Sequence, residues 1–395
     1  MVAFIAAAVL AVTGPPAMTL TAVAAGPVAL DVGPISTPAD ARGGPWVSVS
    51  AGMFHTCGVR TDHSLRCWGI NIDGELGIGK PPSIKRVVPS QVGASANWAS
   101  VSAGSDHTCA IRTDRSLWCW GFNTAGQLGL GRRPFEVDVP IQVDTAAWAG
   151  VSAGGGHTCG VRTDHTLWCW GLNNDGQLGS GGSRIVTKWV PTQVGTGRIW
   201  ASVSSGTFAT CGLRLDHTLW CWGNNDHGQL GLGDTTKRQF PHQVGTLTSW
   251  ERLDVSGGGV CAIRADATLW CWGANPYGQL GQGDLIDHAV PTQVGTATWS
   301  DVASGLFHTC GIRTNDTLWC WGLNDFGALG VGDTIDRGVP TKVGTEDDWA
   351  DVSVYGEYGC ATSRSGSLWC WGLNNPFGQL GTGDTRNRHR PVRVG

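Results

Sequence analysis

The chain has 395 residues, which at ~150 residues per domain suggests two or three domains unless one architecture spans everything. Charged residues make up only 15%, against about 25% in an average soluble protein, while 60 Gly and 41% apolar residues describe a turn-rich chain with ample core material. A formal net charge of −4 argues against a general nucleic-acid binder, which shows a basic domain.

Residues 1–25 are uncharged, hold an apolar run from Val2 to Val12 and end in small residues at Ala24 and Ala25, the pattern of a secretory signal peptide. Gly14, Pro15 and Pro16 interrupt the run before it reaches the ~20 residues of a membrane span. Residues 26–45, rich in Gly, Pro and Ala, read as a linker.

From there a Trp recurs at 46, 98, 148, 200, 250, 299 and 349, dividing the chain into seven copies: 46–97, 98–147, 148–199, 200–249, 250–298, 299–348 and 349–395. Each copy runs through a Trp-led segment (VSAGGGHTCGVR, 151–162), a hairpin (TDHT, 163–166), LWCWG (167–171), a Gly-rich turn (NNDGQLGSG, 173–181) and a Pro-led strand (PTQV, 191–194). Short β-branched or aromatic runs punctuated by Gly, Asn and Asp predict strands and hairpins. Four short strands in each of seven copies predict an all-β, seven-bladed β-propeller built as one domain, because a lone blade cannot bury both faces. Copy seven ends in its own Pro-led strand, so residues 35–45 are the candidate source of a strand that locks the ring.

All fourteen Cys fall in pairs ten apart: Cys57 with Cys67, Cys109 with Cys119, Cys159 with Cys169, Cys211 with Cys221, Cys261 with Cys271, Cys310 with Cys320, and Cys360 with Cys370. In a hairpin centred on residue 114, Cys109 stands opposite Cys119, at a Cα separation of about 4.5 Å in a non-hydrogen-bonded pair, close to the lower edge of disulfide reach. One bridge per blade is expected, against reduced core thiols or a zinc site, which pairs its ligands more closely. Bridges and export signal both indicate a secreted or cell-surface protein.

The same register sets Trp118 opposite Ala110 and Trp120 opposite Thr108, on the face away from the cysteines. Each blade then offers an indole-rich face to its neighbour's Cys/Val/Leu face, burying on the order of 150–250 Å² per ring. Arg60, Arg112, Arg162, Arg214, Arg264 and Arg313 lie on the Trp face, placed to stack on the indoles. His55, His107, His157 and His308 precede Thr-Cys; a metal ring near the axis is the sharp reading, but repeated histidines are more often satisfied structural ones, so no metal and no cofactor is expected. Asp62, Asp114, Asp164 and Asp216 suit the hairpin turn alone. No nucleophile–base set, phosphate loop or paired-carboxylate signature stands out from the repeats, and no catalytic residue is assigned.

The copies differ most between the G-x-G turn and the following Pro, where copies one to three are longer than the rest. These loops carry Lys80, Lys85 and Arg86; Arg132, Arg133 and Phe135; then Arg184, Lys188 and Trp189, which stands outside the repeat register. Copy four adds Lys237 and Arg238, copy seven Arg386 and Arg388, while copies five and six carry Asp287 and Asp336. The expectation is a one-sided basic, aromatic-bearing arc that meets a protein or an anionic cell-surface polymer; the plainer alternative is a solvated rim. A monomer is expected, with neither nucleic acid nor a membrane span.

The motif CWG…N-x-x-G-Q-L-G-x-G-D, as in CWGFNTAGQLGLG (119–131), CWGNNDHGQLGLGD (221–234) and CWGANPYGQLGQGD (271–284), resembles the repeats of the regulator of chromosome condensation family. Glu75 and Ala328 replace Gln, and Lys80, Arg132 and Gly182 replace Asp. The resemblance implies a seven-bladed propeller. Its eukaryotic namesake is a guanine-nucleotide exchange factor for a small nuclear GTPase, a partner that an exported chain would not meet. Plant UV-B photoreceptors of the family carry Gly-Trp-Arg-His-Thr on a face loop, where this chain reads GMFHT, GSDHT, GGGHT, GTFAT and GLFHT. Secreted bacterial propellers with similar repeats include inhibitors that cap β-lactamases. A non-enzymatic binding scaffold is the expected function; exchange activity or a propeller enzyme with a face pocket is the alternative.

Overall fold

A computed structural model describes residues 44–80, 83–132, 134–181 and 187–395; the expected signal peptide and most of the linker lie outside them. The described residues form 27 strands and no helix. They assemble into five four-stranded antiparallel sheets and one seven-stranded sheet. The larger sheet is two repeats joined by one continuous strand, His288–Ser304, which is the outermost strand of copy five and the innermost of copy six. The repeat boundary drawn at 298/299 therefore falls inside a strand. Every copy is then one four-stranded blade, within a compact unit running from Arg42 to Gly395.

Period-2 alternation sets the register. Cys109 pairs with Cys119, Ala110 with Trp118 and Thr108 with Trp120. Each expected Cys pair is bridged within its own blade. Cys57 joins Cys67, Cys109 joins Cys119, Cys159 joins Cys169, and Cys211 joins Cys221. On the remaining blades Cys261 joins Cys271, Cys310 joins Cys320, and Cys360 joins Cys370. Their Cα separations are 4.1–4.2 Å, slightly closer than the separation expected for an opposed strand pair, and no described cysteine is free. Alternate residues then face opposite neighbours: Cys57, Val59, Leu65 and Cys67 of blade one pack on Trp98 and Trp120 of blade two. In blades two to seven, two of the three repeated indoles are buried this way and the other, Trp118 and its equivalents, is half-buried; in blade one Arg66 takes the Trp118 position. Arg112 lies between Trp98 and Trp118, 4.8 and 3.7 Å from the ring centres, and Arg162, Arg214 and Arg313 repeat the sandwich.

Three bonds stitch each seam. The second Gly of the G-x-G turn donates its N–H to the next blade's outer strand (Gly131 to Trp189 O, 2.8 Å). The carbonyl two residues before the first Gly accepts the next blade's indole N–H (Trp170 to Gln127 O, 2.9 Å). At the opposite end the leading Trp donates to a hairpin residue of the preceding blade (Trp98 N to His63 O, 3.0 Å). That hairpin residue is left-handed in all seven blades, with φ of 59–70° at His63, Arg115, His165, His217, Ala267 and Asp316 and 78° at Gly366. Blade seven meets blade one through the same three bonds: Gly383 N to Val87 O, Trp68 Nε1 to Gln379 O and Trp46 N to Gly366 O. Closure among the described residues thus uses the ordinary seam; residues 35–43, expected to supply a locking strand, lie outside them. Each outer strand carries a Pro, from Pro89 to Pro391, which removes a donor from an otherwise open sheet edge.

Three of the four repeated histidines bond across a seam; the fourth, His308, is equally buried but makes no such bond, the Thr position of the next blade being Gly359. His55, His107 and His157 are fully buried, and each Nε2 meets the hydroxyl of Thr108, Thr158 or Thr210 on the next blade at 2.8 Å. Burial pulls their pKa values down to about 4, 3 and 3, so the rings are neutral. In blade seven Tyr358 takes the His position and bonds Thr56. No three His, Cys, Asp or Glu side chains gather at metal-binding geometry among the described residues.

Candidate binding face and axial cavity

The turns that follow LWCWG are pinned from within. Asn123, Asn173, Asn225, Asn275 and Asn324 each accept, through Oδ1, the N–H of the Leu five residues on. In copies four to seven a further clamp follows. Asp234, Asp284, Asp333 and Asp384 accept an N–H two residues on and pair, at i+4, with Arg238, His288, Arg337 and Arg388 at 2.6–3.2 Å. Copies one to three have Lys80, Arg132 and Gly182 where that Asp stands. They lack the clamp and have the longer loops, so the departure from the repeat occupies three adjacent blades on one side of the propeller.

This geometry divides the expected arc. Arg238 and Arg388 are clamp members, and Lys237 is tied to Asp175 of blade three at 2.6 Å with Asp226 at 3.6 Å. The Asp384 clamp also fixes the main chain at Arg386. On blades one to three, Lys80 pairs with Glu136 at 2.6 Å, Lys85 donates to the Pro376 carbonyl, and Arg86 donates to the Lys85 carbonyl. Arg132 of blade two lies 5.6 Å from the ring centre of Trp189 on blade three. Trp189 is half-buried over Gly126, whose φ is +78° and where a Cβ would come within 2.9 Å of its backbone. Lys188 adjoins it, and Phe135 is 51% exposed. Arg133 and Arg184 lie outside the described residues. The contact actually shown is therefore Arg132 with Trp189, Lys188 adjoining in the chain and Phe135 on the Arg132 loop, whereas Lys85 reaches across to blade seven.

A second feature escaped sequence reasoning. The seven innermost strands enclose an axial cavity of about 180 Å³. Its wall is a ring of side chains that bridge strands too splayed to pair by backbone: Ser50, Ser102, Ser152, Ser204, Asp254 and Ser353 each accept a main-chain N–H of the next blade at 2.6–3.1 Å. Below it Arg252 pairs with Asp301 at 3.2 Å, and Asp351 accepts the Val49 N–H. Burial pushes Asp254 up to about 7; burial and then Asp301 push Asp351 up to about 7. The signal was there: WERLDVS, WSDVAS and WADVSV depart from the WASVSA of the earlier copies. Tyr355 lines one end of the cavity, its hydroxyl 2.8 Å from Ser105 of blade two.

No helix of the described residues is long and apolar enough to cross a membrane. Residues 31–298 match the family model of the RCC1-like domain, and 299–328, 315–361 and 365–395 match models of the regulator of chromosome condensation (RCC1) repeat. The ultraviolet-B receptor UVR8 of Arabidopsis thaliana is 30% identical over 191 residues, 47% of this chain and 43% of that protein. The X-linked retinitis pigmentosa GTPase regulator homolog of Caenorhabditis elegans is 37% identical over 86 residues, 21% of this chain and 6% of that protein. The chain thus spans less than half the length of these relatives. Among solved structures, human WBSCR16 superposes with a TM-score of 0.75 at 21% identity, over 84% of this chain and 94% of that one. Prp20p of Saccharomyces cerevisiae, described with its binding properties to Gsp1p and histones, gives 0.75 at 20% identity over 89% and 86%. By these matches and by the repeat geometry, the chain belongs to the RCC1-like domain family.

Proposed function

We propose that this chain is a non-enzymatic binding scaffold of an oxidising, extracellular compartment that presents the unclamped loops of blades one to three to a protein partner or an anionic cell-surface polymer. The observation that carries the reading is the contrast between uniform seams and one irregular sector. All seven junctions use the same backbone bonds, while the Asp clamp is missing, and the loops are longer, in three adjacent blades only. A repeat protein keeps its framework constant and places recognition in loops on one face. Arg132 against Trp189, with Phe135 exposed nearby, is the residue chemistry that interfaces favour. Seven bridges suit an extracellular site. The binding of Prp20p to Gsp1p and histones supports the same use of this fold.

The test is affinity capture from the native extracellular fraction, comparing wild type with a variant in which Arg132, Lys188 and Trp189 are all alanine. A partner retained by wild type and lost by the variant is expected. Equal recovery by both proteins would remove this face.

A further inference from the structure

Blade seven departs from the others at the cation that sits on the indoles. In blades one to six the residue paired with the leading Trp is an Arg, whose guanidinium lies 3.4–5.4 Å from the centre of an indole ring. In blade seven Ser363 pairs with the leading Trp349, and its short side chain bonds the Ser365 hydroxyl and the Ser367 N–H. Arg364 does not take over, because its Nε and Nη2 donate to Asp316 of blade six. The two indoles, Trp349 and Trp369, instead line a cavity of about 90 Å³ together with Glu346, Arg390 and Pro391. Their ring centres are 6.4 Å apart, edge to face, and the space exceeds what one water needs. Arg390 extends over Gly332 of blade six, where a Cβ would come within 2.5 Å of its Nη2.

Blade three shows what completes such a pair of rings. Arg162 lies 5.0 Å from Trp148 and 3.7 Å from Trp168, and its Nη2 meets Asp144, from the loop leading into Trp148, at 2.8 Å. In blade seven the corresponding loop supplies Glu346, an exposed carboxylate with acceptor capacity beyond the one bond that its Oε2 takes from the Thr345 N–H. Asp347 and Asp348 follow it, whereas the loops leading into Trp98, Trp148, Trp200, Trp250 and Trp299 carry one acid between them, Asp144. The charge of this loop therefore suits a cationic partner.

We propose that this slot binds an arginine side chain of a partner protein. The guanidinium lies on the Trp369 ring beside Trp349 and donates to Glu346, completing from outside the arrangement that blades one to six build from their own Arg. A guanidinium is planar and always charged, so it stacks on an indole while its N–H groups reach a carboxylate; the compact ammonium of lysine has no flat face to stack. Arginine is also a common anchor of protein interfaces. The slot uses neither Arg132 nor Trp189 and is independent of the loop face.

The experiment is calorimetric titration of the intact protein with Nα-acetylarginine amide, beside its citrulline counterpart, a neutral urea of nearly the same shape, and Nα-acetyllysine amide. Saturable binding of the arginine compound is expected, roughly tenfold or more weaker for citrulline and severalfold weaker for lysine. Ser363→Arg, which installs the residue of the other six blades, should abolish binding in a protein that unfolds at the same temperature or higher. Trp369→Ala should weaken binding roughly tenfold and Glu346→Gln severalfold. The protein with Arg132, Lys188 and Trp189 all changed to alanine should bind as wild type does. Absence of saturable binding by wild type, equal binding of the citrulline or lysine compound, loss of binding in the triple variant, or unchanged affinity in a folded Ser363→Arg protein would overturn the proposal. Should Ser363→Arg not fold, unchanged affinity in Trp369→Ala and Glu346→Gln would overturn it equally.

Discussion

The indole N–H of Trp170 donates to the main-chain carbonyl of Gln127, 2.9 Å away on the preceding blade, and the Thr158 hydroxyl donates to the same oxygen at 2.7 Å. One carbonyl thereby holds two side chains across a seam that excludes water. The Gly two residues further on makes this approach feasible: Gly129 has φ +73°, and a Cβ there would lie 2.9 Å from the Trp170 indole nitrogen.

Gly129→Ala should accordingly cost roughly 2 kcal/mol or more, from left-handed strain plus collision with the indole. Trp170→Phe, which removes only the donor and part of the ring, should cost about 1–3 kcal/mol. Thermal or denaturant unfolding measures both, and the same change at Gly131, where a Cβ meets nothing within 4 Å, isolates the strain contribution.

Seven bridges should appear in non-reducing peptide mapping, each joining cysteines ten residues apart. Opening any one loop this small should lower stability by roughly 2–3 kcal/mol at most, because the flanking hairpin already restricts it. Fourteen titratable thiols in the denatured, unreduced protein would reject the pairing and the oxidising compartment together.

Glu75 should make the blade one–two junction sensitive to alkali. It stands where five other copies have Gln, is 2% exposed, and burial pushes its carboxyl up to about 8, with Asp73 and Asp106 adding repulsion. A folded-state pKa above the unfolded value means that the folded chain holds the extra proton, so stability falls as pH rises from about 4.5 to 8. Glu75→Gln should remove that slope and raise stability by more than about 1 kcal/mol at pH 8, with little change near pH 4. Parallel pH series of unfolding curves would show it; identical slopes in the two proteins would contradict it.

On the loop face, Arg132→Ala and Lys188→Ala should chiefly slow association and reduce its salt dependence, since exposed charges act over a screening length of about 8 Å. Trp189→Ala should instead speed dissociation, by roughly 2 kcal/mol if the indole is an anchor. Asp287→Ala is unsuitable as the silent control, because Asp287 accepts the Asn275 N–H and meets His227 at 2.8 Å. Leu285→Ser on blade five, at a side chain 65% exposed, serves better. Equal kinetics for all four variants would leave the arc without a role.

Much of this is legible in the sequence because it repeats. The register of Cys109 against Cys119, the small residue opposite Trp118 and the stacking of Arg112 follow from period-2 pairing in one hairpin, and seven copies leave little room for another register. Pairing across seams is not legible. The Gly131–Trp189 bond joins residues of different copies, and ring closure looks incomplete from sequence only because the ordinary seam is not visible there. Arg238 and Arg388 read as free basic charge because an Asp four residues earlier serves equally as a turn residue or as an ionic partner. Asp254 stays inconspicuous for a related reason: an acid in a strand that alternates Ser and Val shows its meaning only when seven such strands surround one axis.

The most direct test of the binding role is hydrogen exchange of the intact chain with and without its captured partner. Protection gained at residues 80–88, 130–139 and 180–191, with none at the hairpins 61–63, 113–115 and 163–165 on the opposite face, is the expected result. Protection at those hairpins, with the loops of blades one to three unchanged, would contradict it.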